Sequence, residues 1–564
     1  MPVNPEQDLK PSLGSVETHF LKINQQRIEL TRQGLSERQA KFIELLPLLF
    51  HENNPSLPGY INDATPAGIS EYAPEQSTIK IAKGFFKDYK ITRRARRIMD
   101  IHGIYFMGSS GSIAYNNKSD FDVWLLHSSS LDADAIDLVQ KKASAIEQWA
   151  DQELHLEVHF FVFSAEEFKH GVQQGLSSES SGSAQHYLLL DEFYRSSLLI
   201  AGKIPTWWLV PPEHEQRYDV YIEEMAQKGK IKPTDSIDFG AVADIPASEF
   251  FGAAVWQLYK SIHSPYKSLM KLLLMEVYAS EYPSIPLLSM MFKEAVYQGV
   301  ETLDDLDPYL MMYKKVEEYL MVRNQRERLE LFRQCFYVKI KEPLSHEVKK
   351  KSWRRDLFKQ VVLDWGWTQD QFKTMDTKNE WQINMIAQQR NRLMNALTES
   401  YRFLSAFARK NTEVSRVSQT ELHVLGRKLY VAFERKAGKV DIINRNNDTN
   451  INYSKITIYQ KKNPSGKDSW QMYQGHINVQ VINDYKPIKR ANSVIELVTW
   501  AYFNKIIDSH SAISLTNSDE LTVKELRQIL MSLKKNFHPG NYRKLILIHS
   551  IRQLRYSMLV FTLM

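Results

Sequence analysis

Between residues 101 and 163 the apolar pattern changes period, from alternation at every second residue to a repeat near 3.6 and back again. No other part of the chain before residue 410 has this α/β rhythm, so it decides where a mixed core can form. The spacing predicts strands over Gly103–Met107, Val123–Leu126 and Leu154–Phe163, with a helix from about Ala133 to Ala150.

The flanking patterns are simpler. Residues 1–50 read as largely helical: Phe42, Leu45, Leu46 and Leu49 fall near a 3.6-residue period, and Pro47 is expected to kink or end that helix. A Pro/Gly/Asn-rich loop runs from Asn53 to Gly68. A Ser/Gly-rich loop, Gly171 to Ser183, precedes a helical stretch Gln185–Leu199. From Ser248 to Lys410 the pattern is almost wholly helical, with Trp256, Leu258, Tyr259, Leu269, Leu272, Leu273 and Val277 supplying apolar faces. Segments rich in β-branched and aromatic residues return at Val440–Ile443, Ile456–Tyr459 and Trp470–Tyr473, with a helix near Ser493–Ile507. A length of 564 residues favours two to four domains. We divide the chain into an α/β core with a helical N-terminal extension (1–205), a helical domain (206–410) and a smaller α+β region (411–564). The expected fold class is α+β.

Hydrophobic residues at 43% and charged residues at 24% are ordinary values, so large cores can form. A net charge of +6 is mild for this length: it suits polyanionic ligands without indicating a nucleic-acid binder. The basic runs Arg93-Arg94-Ala95-Arg96-Arg97 and Lys349-Lys350-Lys351 read as solvated helix faces. A single cysteine, Cys335, excludes an internal disulfide and a cysteine-based zinc site, and its apolar neighbours predict a buried thiol. Without a signal peptide or an apolar stretch long enough to span a bilayer, a soluble cytoplasmic protein is expected.

The chemistry concentrates in Gly108-Ser109-Ser110-Gly111-Ser112 and, twelve residues after Gly108, Asp120-Phe121-Asp122. Glycine lets phosphate oxygens approach the backbone, and Ser109, Ser112 and successive N–H groups can donate to them. Strand alternation puts Asp120 and Asp122 on one face, where two carboxylates repel unless a cation lies between them. Hard oxygen ligands of this kind suit magnesium. In Leu154–Phe161 the set Leu156, Val158 and Phe160 is apolar, so His155, Glu157 and His159 face the other way and Glu157 can join the aspartates in a two-metal site. His155 and His159 are not needed by that chemistry and read as ordinary polar-face histidines. A lone D-x-D is common on surface strands, and Gly-Ser turns are commoner still; only the ordered combination is informative.

That combination resembles the signature of the polymerase-β nucleotidyltransferase superfamily. A narrower likeness lies outside it. The stretches Ser183-Ala184-Gln185-His186-Tyr187-Leu188-Leu189-Leu190-Asp191-Glu192-Phe193-Tyr194-Arg195 and Glu249-Phe250-Phe251-Gly252-Ala253-Ala254-Val255-Trp256-Gln257-Leu258-Tyr259-Lys260-Ser261-Ile262-His263-Ser264-Pro265-Tyr266-Lys267 resemble signatures of bacterial class I adenylate cyclases. So do Leu306-Asp307-Pro308-Tyr309, Arg333-Gln334-Cys335-Phe336-Tyr337, Trp353-Arg354-Arg355 and Trp365-Gly366-Trp367, in family order.

The resemblance implies a polymerase-β-like nucleotidyltransferase core that converts ATP to cyclic AMP and pyrophosphate with two magnesium ions, for which manganese can substitute. Asp120, Asp122 and Glu157 would hold the metals, and Glu157 or a metal would assist loss of the ribose 3′-OH proton. Gly108, Ser109 and Ser112 would cradle the β- and γ-phosphates, with Lys267 as a further triphosphate contact or else a solvated surface lysine. Ser264 would either cap the helix that Lys267 opens or touch the ligand. Ser183, Gln185, His186 and Arg195 match family positions at the substrate site, while Asp191 and Glu192 are candidates to pair with Arg195. ATP is the implied partner, with no nucleic acid and no membrane span. Family members are controlled by the sugar phosphotransferase system through a C-terminal regulatory region; residues after about 535 follow the family poorly, and that region is expected to be absent. An enzyme passing AMP to an external hydroxyl would use the same carboxylates, and a silent nucleotide sensor would keep the fold. The class I matches weigh against the first, and retention of all three carboxylates weighs against the second.

Overall fold

The computed structural model describes residues 13–91, 98–171, 185–242, 244–347, 352–411, 452–462, 469–508, 510–518 and 521–537, with Arg427, Val440, Ile442 and Ile443 between. Both basic runs, most of the Ser/Gly-rich loop and Ser183 lie outside the described residues.

The N-terminal helices are α1 (Leu13–Gln33), α2 (Glu37–His51) and α3 (Gln76–Phe85). Ser36 and Gln39 form a reciprocal capping box that starts α2. Pro47 does not end that helix, which continues to His51. The ring is buried beside Phe42, Leu46 and Phe50, so core packing offsets the backbone hydrogen bond that proline forgoes.

A four-stranded sheet follows, from β1 (Ile101–Met107), β2 (Phe121–His127), β3 (Val158–Phe163) and β4 (Leu198–Gly202), in the order β3-β2-β1-β4. β2 runs parallel to β3 and antiparallel to β1, and β4 is antiparallel to β1. Between these strands lie α4 (Ala133–Trp149), α5 (Ala165–Lys169) and α6 (His186–Ser196). Two expectations need correction. Residues 198 and 199, expected at the end of a helix, open β4, because α6 stops at Ser196 and Leu198 pairs with Phe106. The strand expected over Leu154–Phe163 begins only at Val158: residues 150–154 form a π turn and His155 adopts a left-handed backbone with φ 52°.

Alternation along the strands divides the sheet into two faces. Ile104, Phe106, Phe121, Val123, Leu125, Val158 and Val162 pack against α2, α3 and α4. Tyr105, Met107, Trp124 and Leu126 face the opposite way, into a core continuous with the helical region. There Trp124 stacks on Phe193 of α6 with ring centroids 4.6 Å apart.

After a short two-stranded pairing of β5 (Ile204–Pro205) with β6 (Ser236–Ile237), and α7 (Tyr218–Gln227) between them, the chain is helical. The helices are α8 (Ala247–Ser261), α9 (Pro265–Glu281), α10 (Leu288–Tyr297), α11 (Leu303–Leu306), α12 (Pro308–Val322), α13 (Arg326–Ile340), α14 (Trp353–Leu363), α15 (Gln369–Asp376) and α16 (Ile383–Asn411). Buried Glu276 of α9 accepts hydrogen bonds from Tyr319, Arg328 and Ser400, tying α9 to α12, α13 and α16. A carboxylate with this many donors is stable in a core, and it fixes α9 relative to its neighbours.

The last region is a sheet ordered β10-β7-β8-β9, from β7 (Lys455–Lys461), β8 (Ser469–Gln474), β9 (Lys489–Ala491) and β10 (Ala512–Thr516), covered by α17 (Val494–Phe503) and α18 (Val523–Asn536). Val440, Ile442 and Ile443 are described but form no strand; Val440 and Ile443 pack against this third core. The whole is α+β. No helix among the described residues is long and apolar enough to cross a membrane.

Candidate active site

β1 ends at Met107, and the chain turns through Gly108 to Tyr115 before entering β2. Gly108 (φ 82°) and Gly111 (φ 64°) both occupy left-handed backbone. A Cβ on Gly111 would lie 2.8 Å from the Arg27 Cβ, so only glycine fits against α1. At Gly108 the nearest atom to such a Cβ would be Asp122 Oδ2, 3.8 Å away, so the turn opens directly onto the carboxylate.

Three elements outside the turn hold its carbonyls and one amide. Arg27 of α1 donates to the carbonyls of Gly111 (3.0 Å) and Ser196 (2.8 Å). Arg354 Nε of α14 donates to the Ile113 carbonyl at 2.8 Å, and Asp307 Oδ2 accepts the Ile113 N–H at 2.6 Å. The N–H groups of Ser109, Ser110 and Gly111 meet no acceptor among the described residues. Three successive unpaired amides form an anion-binding concavity. Ser112 is committed internally: its hydroxyl donates to the Ser109 carbonyl at 2.7 Å and accepts from Ala114 N–H. The Ser109 side chain makes no such bond.

Asp122 pairs in register with Met107 on one side and His159 on the other, on the face turned toward the helical region. Both aspartates are half-buried. Burial raises the Asp122 carboxyl above its ordinary range and repulsion from Asp120 adds to it, with Lys267, His159 and Lys271 opposing. Asp120 moves the other way: burial works against its ionised form but is outweighed by Lys267, a backbone hydrogen bond, Lys339 and His159. The pair thus keeps one ready anion and one carboxyl that resists ionisation.

Glu157 precedes β3 and its side chain is 73% exposed, with Oε1 3.2 Å from His159 Nε2. Among the described residues no three His, Cys, Asp or Glu side chains converge in a metal-binding arrangement, so the expected three-carboxylate cluster is not formed. Glu157 stays beside β2, its carbonyl accepting the Phe121 N–H at 2.9 Å, but its carboxylate meets His159 rather than the aspartates. Two carboxylates that repel each other beside unpaired amides remain a donor set suited to a divalent cation completed by substrate phosphates.

The opposite wall is helical. Pro265 opens α9 at its first position, and Lys267 follows, half-buried, with no ion pair among the described residues. Burial lowers its proton affinity, but Tyr309, Asp120, Asp122 and Glu192 together raise it above the ordinary lysine range. Ser264 is exposed and makes no capping bond, contrary to one expectation: its backbone, φ −130° and ψ 64°, lies outside the extended region usual for a capping serine. One turn on from Lys267, Lys271 pairs with Glu192 of α6 at 2.8 Å. Arg195 is buried against Asp191 (3.6 Å) and the Pro308 carbonyl, so Asp191 rather than Glu192 is its partner. Gln185 stands at the α6 N-terminus without a capping bond. The His186 ring lies 4.6 Å from Phe168, and burial pushes it down to about 4.

The sequence reading missed Lys271, Tyr309, Lys339, Arg27 and the role of Asp307. Asp307-Pro308 carried a usable signal, an acidic N-cap before a first-position proline: Asp307 accepts from the N–H groups of Tyr309 and Leu310. The others occupy unremarkable helix positions.

Three family models match the chain in succession: the adenylate cyclase NT domain over residues 12–208, the class-I adenylate cyclase second domain over 245–444 and the class-I third domain over 452–540. The adenylate cyclases of Escherichia coli (strain K12) and Shigella flexneri are each 34% identical to it over 518 residues, covering 91% of this chain and 61% of theirs. That of Proteus mirabilis is 35% identical over 515 residues, 89% of this chain and 59% of its own. The chain therefore spans 59–61% of the length of these curated relatives. No solved structure matches it. With consecutive domains of one family matched from residue 12 to residue 540, the chain belongs to the class I adenylate cyclases.

Proposed function

We propose that the chain converts ATP to 3′,5′-cyclic AMP and pyrophosphate between the 108–115 turn and the start of α9, in a polymerase-β-like nucleotidyltransferase core. The observation that supports this is an aspartate pair that feels the field of Lys267, next to a turn whose Ser109, Ser110 and Gly111 amides meet no acceptor among the described residues: an anion-repelling pair beside anion-attracting groups. The names of the relatives, each an adenylate cyclase, agree with this reading. The mixed sheet with its Gly-Ser turn and D-x-D supports the core assignment.

In this reading the amides of residues 109–111 and the Lys267 ammonium bind the β- and γ-phosphates, orienting the α-phosphorus toward β2. Asp120 and Asp122 would hold magnesium, which supplies positive charge to the attacking oxygen and to the departing pyrophosphate. Glu157, hydrogen-bonded to His159 beside Asp122, receives the ribose 3′-OH proton. The bond formed joins O3′ to the α-phosphorus, and the bond broken is the bridge to the β-phosphate. The protein acts in the cytoplasm, and catalysis resides in residues 1–205 and 206–410.

Incubation with ATP labelled on the α-phosphate and magnesium tests this. Label in free cyclic AMP, lost in Asp122→Asn, is the expected result; label transferred to an acceptor would assign the chain to external nucleotidyl transfer instead.

A further inference from the structure

Lys339, near the end of α13, is a second half-buried cation at this site that the reading above leaves unused. Its Nζ lies 5.6 Å from the ring centroid of Tyr309. Tyr309 is the second residue of α12, whose N-cap Asp307 also holds the Ile113 amide of the phosphate-facing turn. Lys339 is thus anchored to the strut that supports the turn. Three other cations of the helical region meet carboxylates: Lys271 meets Glu192, Lys315 meets Glu281 and Arg328 meets Glu276, each within 3.0 Å. Lys339, like Lys267, has no hydrogen bond or ion pair among the described residues, although both feel the field of Asp120. A half-buried ammonium that meets an aromatic ring rather than an anion is costly, and a polyanion reaching it would offset that cost.

We propose that Lys339 is a second polyphosphate ligand, so that the triphosphate of the nucleotide is gripped between Lys267 on α9 and Lys339 on α13. This rests on the functional reading given above. It adds a contact from a helix about seventy residues further along the chain.

The surroundings of Lys339 supply a distinguishing signature. Burial is the largest influence and Lys267 the next, and together they push the ammonium down to about 7; Lys341 beyond the end of α13 and Arg354 on α14 push the same way, and Asp120 opposes. The Tyr309 phenol is itself held above its ordinary range, chiefly by burial, and stays neutral. Near pH 7.5 a fraction of Lys339 is therefore neutral, and an arriving polyphosphate draws a proton onto it.

Isothermal calorimetry of the full chain with inorganic tripolyphosphate, at pH 7.5 in two buffers of different ionisation enthalpy, tests this. Lys339→Met is expected to weaken tripolyphosphate on the order of tenfold to a hundredfold, the scale of one charge-assisted contact. Lys339→Arg is expected to retain affinity and to lose the proton uptake that wild type displays. Lys339→Gln replaces the methionine variant if that protein lacks a cooperative melt. Wild-type affinity in Lys339→Met, with affinity lost in Lys267→Met, would overturn this proposal and leave the underlying site intact. Failure of wild type to bind tripolyphosphate would overturn both.

Discussion

Asp307 Oδ2 accepts the backbone N–H of Ile113 at 2.6 Å, while Oδ1 of the same carboxylate caps α12 through Tyr309 and Leu310. One buried side chain thereby joins the helical region to the turn that faces the aspartate pair. Replacing it with alanine removes a helix cap and orphans a buried amide. A loss of roughly 2–4 kcal/mol follows from those two terms. We expect Asp307→Ala to melt lower and to lose tripolyphosphate affinity even at temperatures where it remains folded, as calorimetry on the folded fraction would measure.

Asp122 carries a pH prediction. Its carboxyl is raised above 3.8, first by burial and then by Asp120, so the folded chain holds that proton more tightly than the unfolded chain does. Ionisation therefore costs stability, a cost absent below the unfolded value and fully present once pH exceeds the folded one. Asp122→Asn should melt at the same temperature as wild type or slightly higher at pH 7 without divalent cations. Magnesium should raise the wild-type melting temperature and leave the variant unmoved. Cyclic AMP formation should vanish in the variant, and an active Asp122→Asn protein would remove Asp122 from the proposed metal site.

Lys267→Ala should lower kcat/KM for ATP by roughly 10²-fold or more, the scale of losing one preorganised electrostatic contact. Lys267 has no ion pair among the described residues, so the melting temperature should change little; kinetics and a thermal melt on the same preparation check both halves.

Truncation after Lys410 tests the division of labour between regions. The candidate site residues lie between Gly108 and Lys339, so activity per folded molecule should survive. Solubility should not. Ile383 of α16 is part of the C-terminal core and donates its N–H to the Tyr453 hydroxyl, so the cut exposes Ile383 and Ile386. A truncated chain that melts cooperatively and binds ATP but makes no cyclic AMP would give the C-terminal region a direct part in the site.

The strands β1 and β2 and the helix α4 could be read from sequence because each keeps one period over seven or more residues. The common face of Asp120 and Asp122 followed from the same alternation. β4 escaped notice: five residues, Leu198–Gly202, directly after a helix carry too little pattern to separate strand from helix. The alternation read through Leu154–Val158 is kept, with Leu154, Leu156 and Val158 buried and His155 and Glu157 exposed, but the strand itself starts only at Val158, after a left-handed His155.

The sequence by itself determined the local chemistry: which strand bears the carboxylates, where glycine lets the chain turn, and which helix begins at Pro265. These depend on neighbours within a few residues, whose dihedral preferences and periodicity are written in the chain. Only the tertiary structure decided which cations meet the carboxylates. Lys267, Lys271 and Lys339 are three lysines on helices, alike in sequence; packing gives Lys271 a carboxylate at 2.8 Å, while Lys267 and Lys339, within the field of Asp120, have no ion pair among the described residues. That choice is made by long-range burial, through contacts such as Glu276 with Arg328 and Asp307 with Ile113, which join residues 52 and 194 positions apart. No local preference encodes such distances, because their energy exists only once the helices have closed on the sheet.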